Sequence, residues 1–248
     1  TLIMAASLAE GRTTIENAAR EPEIVDIVNM LIKMGANISG AGTSEIIVEG
    51  VDKLNPTDHE IIGDRIAAGT FLAAILSTKG SGIVNGINPE HLPMELKKLG
   101  EMGAKIDSTE TSINIEYRDN LQSIELSTLP FPGIATDLQP IFGSALLLAE
   151  GTSILTENVY DQRFQWIPEV QRMGANIQTG WQHAMIKGVK ELSGAPVHST
   201  DIRTGASLII AALQADGESL ITGIEHIERG YENIVDLLSS VGSEIQYN

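Results

Sequence analysis

Ala149-Glu150-Gly151-Thr152-Ser153-Ile154-Leu155-Thr156, closed some twenty residues later by Met173-Gly174-Ala175, is one of four copies of a single pattern. The others run from Ala9-Glu10-Gly11 to Met34-Gly35-Ala36, from Thr78-Lys79-Gly80 to Met102-Gly103-Ala104, and from Ala215-Asp216-Gly217 to Val241-Gly242-Ser243. The closing glycines, at 35, 103, 174 and 242, stand 68, 71 and 68 residues apart. Such a period marks a repeated supersecondary unit, with about three and a half copies of a motif near 70 residues long.

Every copy reads alike. A helix of small residues, such as Asp201 to Gln214, ends near a glycine. An apolar stretch follows, Ser219-Leu220-Ile221-Thr222 or Thr13-Thr14-Ile15-Glu16, with the alternation of a half-buried strand. An amphipathic helix comes next. From Pro22 to Met34, the residues Ile24, Ile27, Val28, Leu31 and Met34 share one face, Pro22 suits the first turn and Gly35 ends it. Two short strands close the unit, as at Asn37-Ile38-Ser39 and Glu45-Ile46-Ile47-Val48. The expected class is α/β, ordered helix, strand, helix, strand, strand.

In three copies an aspartate lies 14 to 16 residues before the first glycine and is expected to open the leading helix: Asp64, Asp137 and Asp201. Counting back from Gly11 runs off the chain, so the first copy is expected to be incomplete and the sequence to be the C-terminal part of a longer protein. Residues 1–62 then form a lone repeat, with Asn55-Pro56-Thr57-Asp58 as a linker. Residues 63–248 hold three repeats, the smallest number that buries a stacked core.

Composition narrows the function. Sixteen basic against 33 acidic residues give a formal charge of −17, which argues against a nucleic-acid surface but leaves room for a small anion held by a few arginines. The absence of cysteine excludes disulfides, thiolate metal sites and cysteine nucleophiles within these residues. The five histidines have no metal-ligand spacing, and Gly40-Ala41-Gly42 lacks the Gly-Lys-Ser/Thr of a phosphate loop. No apolar run reaches the roughly 20 residues of a membrane span, so a soluble, cytoplasmic protein is expected.

Several strings together carry a resemblance: Glu16-Asn17-Ala18-Ala19-Arg20-Glu21-Pro22, Thr136-Asp137-Leu138-Gln139, Glu157-Asn158-Val159-Tyr160, Arg163-Phe164, Asp201-Ile202-Arg203 and Glu228-Arg229-Gly230-Tyr231-Glu232. They resemble the enolpyruvyl transferases, and within that family the enzymes of bacterial cell-wall synthesis that use UDP-N-acetylglucosamine. The resemblance implies two similar domains, each an inside-out α/β barrel of three repeats, with the active site in the cleft between them. Residues 1–62 would be the last repeat of a truncated first barrel and 63–248 the second barrel. It also implies transfer of the enolpyruvyl group from phosphoenolpyruvate to the sugar 3-hydroxyl with release of phosphate, and requires no metal or organic cofactor. A lysine-asparagine pair, a phosphate-binding arginine and the loop that carries the general acid would lie in the absent N-terminal portion.

Each candidate residue has a plainer reading beside the functional one. Asp137 reads as a helix cap; the resemblance makes it the base or orienting acceptor for the 3-hydroxyl. Arg229 reads as a solvated charge between a strand and a helix, but by resemblance it contacts the carboxylate or phosphate of phosphoenolpyruvate. Arg203 either joins it there or forms a local ion pair with Asp201. Val159 and Tyr160 are loop packing, or the backbone against the UDP-sugar; Arg163 lines the cleft or a helix surface. The competing functional classes are an enolpyruvyl transferase acting on another hydroxyl, and a non-catalytic ligand-binding module on the same repeats.

Overall fold

The computed structural model describes residues 1–247 and divides into two compact units. The first comprises Thr1–Gly63 together with the short loop Pro130–Pro132; the second comprises Asp64–Leu129 and Gly133 onward.

In the first unit a short helix α1 (Leu2–Ala6) leads to β1 (Arg12–Glu16), the amphipathic helix α2 (Pro22–Lys33) and the hairpin β2 (Asn37–Ser39) and β3 (Glu45–Glu49). The three strands form an antiparallel sheet in the order β1-β3-β2. Val28 and Leu31 of α2 pack over Ile38, Ile46 and Val48 of that sheet. The helix is delimited as its sequence demands. Pro22 occupies the first turn, Glu23 and Lys33 complement the dipole at its two ends, and Gly35 turns left-handed at φ +101°. The amides of Gly35 and Ala36 reach back to the carbonyls of Ile32 and Leu31, the double bond of a Schellman stop.

The second unit runs the same motif three times. Its first copy is α3 (Arg65–Ser77), β4 (Ser81–Asn85), α4 (Pro93–Glu101), β5 (Ala104–Ser108) and β6 (Ser112–Tyr117). A short β7 (Glu125–Ser127) leads into the second copy: α5 (Gln139–Ala145), β8 (Thr152–Thr156), α6 (Ile167–Arg172), β9 (Asn176–Gly180) and β10 (His183–Lys187). A short β11 (Pro196–His198) leads into α7 (Ile202–Gln214), β12 (Leu220–Thr222), α8 (Ile224–Glu228) and α9 (Ile234–Ser240). The glycines closing α2, α4, α6 and α9 all have φ between +99° and +110°, so the sequence period is also a period of backbone conformation.

The leading helices α3, α5 and α7 pack on one another and bury most of their residues, and small and apolar side chains dominate them. The sheets lie outside them. This is the inside-out arrangement, with helices as the core and strands as the wall.

Two features depart from the sequence expectation. β7 and β11 were not expected; each pairs in parallel with the strand beyond the next helix, β7 with β8 and β11 with β12. A parallel pair needs a crossover, and the leading helix supplies it. With one buried side chain in three residues, neither strand is long enough to show an alternation. The second departure concerns Asp137, which does not cap its helix.

Candidate active site

The three aspartates that precede the leading helices behave in two ways. Asp64 accepts the amides of Ile66 and Ala67 at 2.8 and 3.1 Å, and Asp201 those of Arg203 and Thr204 at 2.8 and 3.1 Å. Both are N-caps. Asp137 instead lies inside a 3-10 turn, Thr136–Leu138, whose N-cap position is Ala135, and it accepts no backbone amide among the described residues. The sequence held the signal: Asp64 and Asp201 are both 16 residues before their glycine, whereas Asp137 is 14 before its own. The residue 16 before Gly151 is Ala135.

Freed from capping, the Asp137 carboxylate takes one guanidinium on each oxygen. Arg163 Nη2 donates to Oδ1 at 2.9 Å and Arg203 Nη2 to Oδ2 at 3.0 Å. The Asp137 side chain stays 36% exposed, against 15% and 20% for the two arginines, so the carboxylate faces solvent from a framed position. Charge-assisted bonds of this kind fix orientation as well as contribute energy.

Each arginine is itself braced. Arg163, in the 3-10 turn Arg163–Trp166 ahead of α6 and not within the helix, donates from Nε to the Thr136 hydroxyl at 3.1 Å and lies 4.8 Å from the centre of the Tyr160 ring. Arg203, in the first turn of α7, donates from Nη1 to the Tyr231 hydroxyl at 3.4 Å. Tyr231 is buried, its hydroxyl 2.8 Å from that of Thr70, which donates to the Ile66 carbonyl. Burial acts to lower the Arg203 pKa, but the Asp137 carboxylate and Tyr231 outweigh it and the net shift is upward. Burial also raises the Tyr231 pKa, and the hydrogen bond with Thr70 and the charge on Arg203 only partly offset it, so at neutral pH the phenol keeps its proton. The local Asp201–Arg203 ion pair does not form: Asp201 takes the Arg203 amide, and the guanidinium goes to Asp137.

The remaining sequence candidates fall around this centre. Val159 and Tyr160 are half-exposed on the loop after β8, and Tyr160 reaches the centre through Arg163. A depression of ≈ 240 Å³ is lined by Tyr160, Arg163, Gln165, Asp201 and Thr204 among others. Arg229 is exposed at the C-terminal end of α8, a helix the sequence reading did not foresee, and no described carboxylate pairs with it. Its neighbour Gly230 packs beside Arg203: a Cβ there would stand 3.9 Å from Arg203 Nη1. Arg229 is therefore carried on a segment that borders the Asp137 cluster.

Three residues that position the centre escaped the sequence reading. Tyr231 holds Arg203. Buried Glu95 of α4 accepts the amide of Ala135 at 3.3 Å and so anchors the start of the Asp137 turn. Glu157, fully buried, accepts the amides of Val159 and Tyr160, both at 2.9 Å. No group of three or more metal-ligating side chains exists among the described residues, and no helix there is long and apolar enough to cross a membrane.

A model of the EPSP synthase (3-phosphoshikimate 1-carboxyvinyltransferase) family matches residues 1–238. The chain belongs to this family. Among curated proteins it is 46% identical over 245 residues to the UDP-N-acetylglucosamine 1-carboxyvinyltransferase of Corynebacterium jeikeium, and 47% identical over 245 residues to that of Nocardia farcinica. Those alignments cover 99% of this chain but only 59% and 58% of the relatives, so the chain spans about three fifths of their length. Among solved structures, the enolpyruvyl transferase NikO of Streptomyces tendae superposes with a TM-score of 0.86 at 25% identity, over 97% of this chain and 58% of that one. EPSP synthase from Acinetobacter baumannii, at 22% identity and a TM-score of 0.75 over 96% of this chain and 58% of that one, shares the fold. The architecture is thus the enolpyruvate transferase fold, as the resemblance implied.

Proposed function

We propose that the longer protein to which this chain belongs transfers the enolpyruvyl group of phosphoenolpyruvate to the 3-hydroxyl of UDP-N-acetylglucosamine, releasing phosphate, in the cytoplasmic synthesis of peptidoglycan. The observation that carries this reading is Asp137: an aspartate released from capping and held between two arginines, in a family of carboxyvinyltransferases, which join an alcohol to the enolpyruvyl group of an enol phosphate. The substrate is taken from the relatives that share 46–47% identity over nearly all of this chain.

In this reading Asp137 accepts the proton of the 3-hydroxyl as its oxygen bonds to C2 of phosphoenolpyruvate, or orients that hydroxyl for attack. C3 takes a proton from an acid supplied by the absent portion. Loss of a proton from C3 and cleavage of the C2–O bond to phosphate then restore the C2=C3 double bond and form the enol ether, with phosphate as the leaving group. Arg203 and Arg229 supply positive charge for the carboxylate and phosphate, which carry the charge through the tetrahedral intermediate. Arg163, Val159 and Tyr160 form the wall for the UDP-sugar. The reaction calls for no metal and no organic cofactor. The first unit is the last repeat of the first barrel, whose other repeats lie in the absent portion, and the present chain alone is expected to be inactive.

The deciding experiment is phosphate release by the full-length protein with phosphoenolpyruvate and UDP-N-acetylglucosamine. Turnover requiring both substrates supports the reading, and its absence removes it. Turnover by the 248-residue chain alone would show that the absent portion holds none of the essential groups.

A further inference from the structure

We infer that Glu157 is a positioning residue for the sugar-nucleotide wall of the site, an assignment that rests on the function proposed above. The four repeats leave their first strand at the same place, six residues beyond the opening glycine. At that position the first unit has Asn17 at φ +51°, and the first and third copies of the second unit have Gly86 at +79° and Gly223 at +78°. Each makes a left-handed turn. The second copy has Glu157, which has no positive φ and whose side chain is fully buried.

A buried carboxylate is costly unless its oxygens are satisfied, and no described cation pairs with this one. A left-handed residue would release the strand without that cost, as it does in the other three copies. What the carboxylate does instead is organise the next three residues. Its Oε1 accepts the Val159 and Tyr160 amides and, at 2.7 Å, the hydroxyl of buried Thr128. Thr128 in turn accepts the Asn158 amide at 2.9 Å on its hydroxyl and the Asn158 side-chain amide at 3.1 Å on its carbonyl. The backbone amides of residues 158–160 are all turned inward, which holds the Val159 and Tyr160 side chains outward. Tyr160 then lies on Arg163, and Arg163 holds Asp137. The departure from the repeat at Glu157 and the two-residue departure at Asp137 occur in the same copy and meet through one arginine. Two rule-breaking positions converging on one cluster are expected of a functional site and not of a turn built only for stability.

The test is made in the full-length enzyme with Glu157→Gly, which installs the residue the neighbouring copies use, and with Glu157→Gln, which keeps an acceptor oxygen. Loss of a pre-organised wall weakens ground-state binding of the partner it contacts, so the Gly variant is expected to raise KM for UDP-N-acetylglucosamine by about tenfold. Its kcat and its KM for phosphoenolpyruvate should change far less, and the Gln variant should recover most of the affinity. An unchanged KM for the sugar nucleotide, or equal rises for both substrates, would leave Glu157 as a structural turn only. If the Gly variant fails to fold, Thr128→Val, which removes the hydroxyl on Oε1, carries the same test with a smaller shift in the same KM. Absence of turnover by the wild-type protein would overturn the function itself, and this assignment with it; wild-type turnover with an unaltered variant KM overturns the assignment alone.

Discussion

The second and third copies of the repeat in the larger unit start their leading helices with the same residue type and use it in opposite ways. At Asp201 the carboxylate turns back onto its own helix, taking the Arg203 and Thr204 amides and the Thr204 hydroxyl. At Asp137, two residues deeper into the helix start, the amides are out of reach and the carboxylate turns outward to Arg163 and Arg203. The chemistry of the side chain is constant; its register against the first turn decides whether it caps a helix or faces outward between two arginines. The third copy even lends the second its arginine, since Arg203 uses its amide for one aspartate and its guanidinium for the other.

The largest effect expected from this contrast is on catalysis. Asp137→Ala in the full-length enzyme should lower kcat by at least about 100-fold, the lower range for removal of a general base. No backbone amide loses a partner, so any loss of thermal stability in the variant comes from the Arg163 and Arg203 guanidinium groups left without their carboxylate. A near-normal kcat would reduce Asp137 to an anchor for the two arginines.

The leading helix of the second copy is also the shortest of the three, and it is locked differently. Trp166 lies fully buried against Gly143 of α5, its indole donating to Gln139 at 3.1 Å. A Cβ at Gly143 would stand 2.5 Å from the Trp166 ring, a contact that cannot form unless the ring moves. Gly143→Ala is therefore expected to destabilise the protein by about 1–3 kcal/mol, as overpacked cores do. Denaturant unfolding would measure it. An unchanged midpoint would mean that the ring has room to shift and that this copy is less tightly packed than its burial suggests.

How much of this was legible in the sequence follows from the length scale of each feature. The period, the Schellman glycines and the apolar leading helices span many residues and repeat, so each copy corroborated the others. β7 and β11 consist of three residues each and owe their existence to partners across a helix, which no local pattern records. Arg203, Arg163 and Asp137 were singled out separately, but their meeting depends on α5 and α7 lying side by side. Tyr231 looked like any aromatic after a glycine; only its burial between Thr70 and Arg203 gives it a role. The offsets of 14 and 16 residues were visible throughout, and reading them as equal made Asp137 look like a cap.

A smaller effect separates the two caps from Asp137. Asp64→Ala and Asp201→Ala should each cost about 1 kcal/mol of stability, the usual value of an N-cap. Asp137→Ala breaks no cap; its cost comes from the two guanidinium groups it leaves without a carboxylate, and should shrink when Arg203 is also replaced, whereas the cost of Asp64→Ala should not. If replacing Arg203 leaves the cost of Asp137→Ala unchanged in denaturant titrations, the distinction drawn from hydrogen bonding has no energetic content.

The finest test is the pH dependence of the Asp201 cap. Burial acts to raise its pKa, but the hydrogen bonds from the Thr204 hydroxyl, the Thr204 and Arg203 amides and the Thr200 hydroxyl outweigh it and hold the carboxyl below its ordinary value. A folded pKa below the unfolded one means that the unfolded chain takes up its proton first as acid is added. The stabilisation is then complete above the unfolded value of about 3.9, and it disappears as the pH falls through the lower folded value. Asp201→Asn keeps an acceptor oxygen but no charge, so comparing it with wild type cancels the titration of distant carboxylates, whose effects are additive. Thermal midpoints measured from about pH 6 downward should differ above about pH 4 and converge below it, with wild type the more stable at the upper end. A gap that stays constant into the acid range would mean that the cap depends on geometry alone, and that Asp201 owes nothing of its role to its charge.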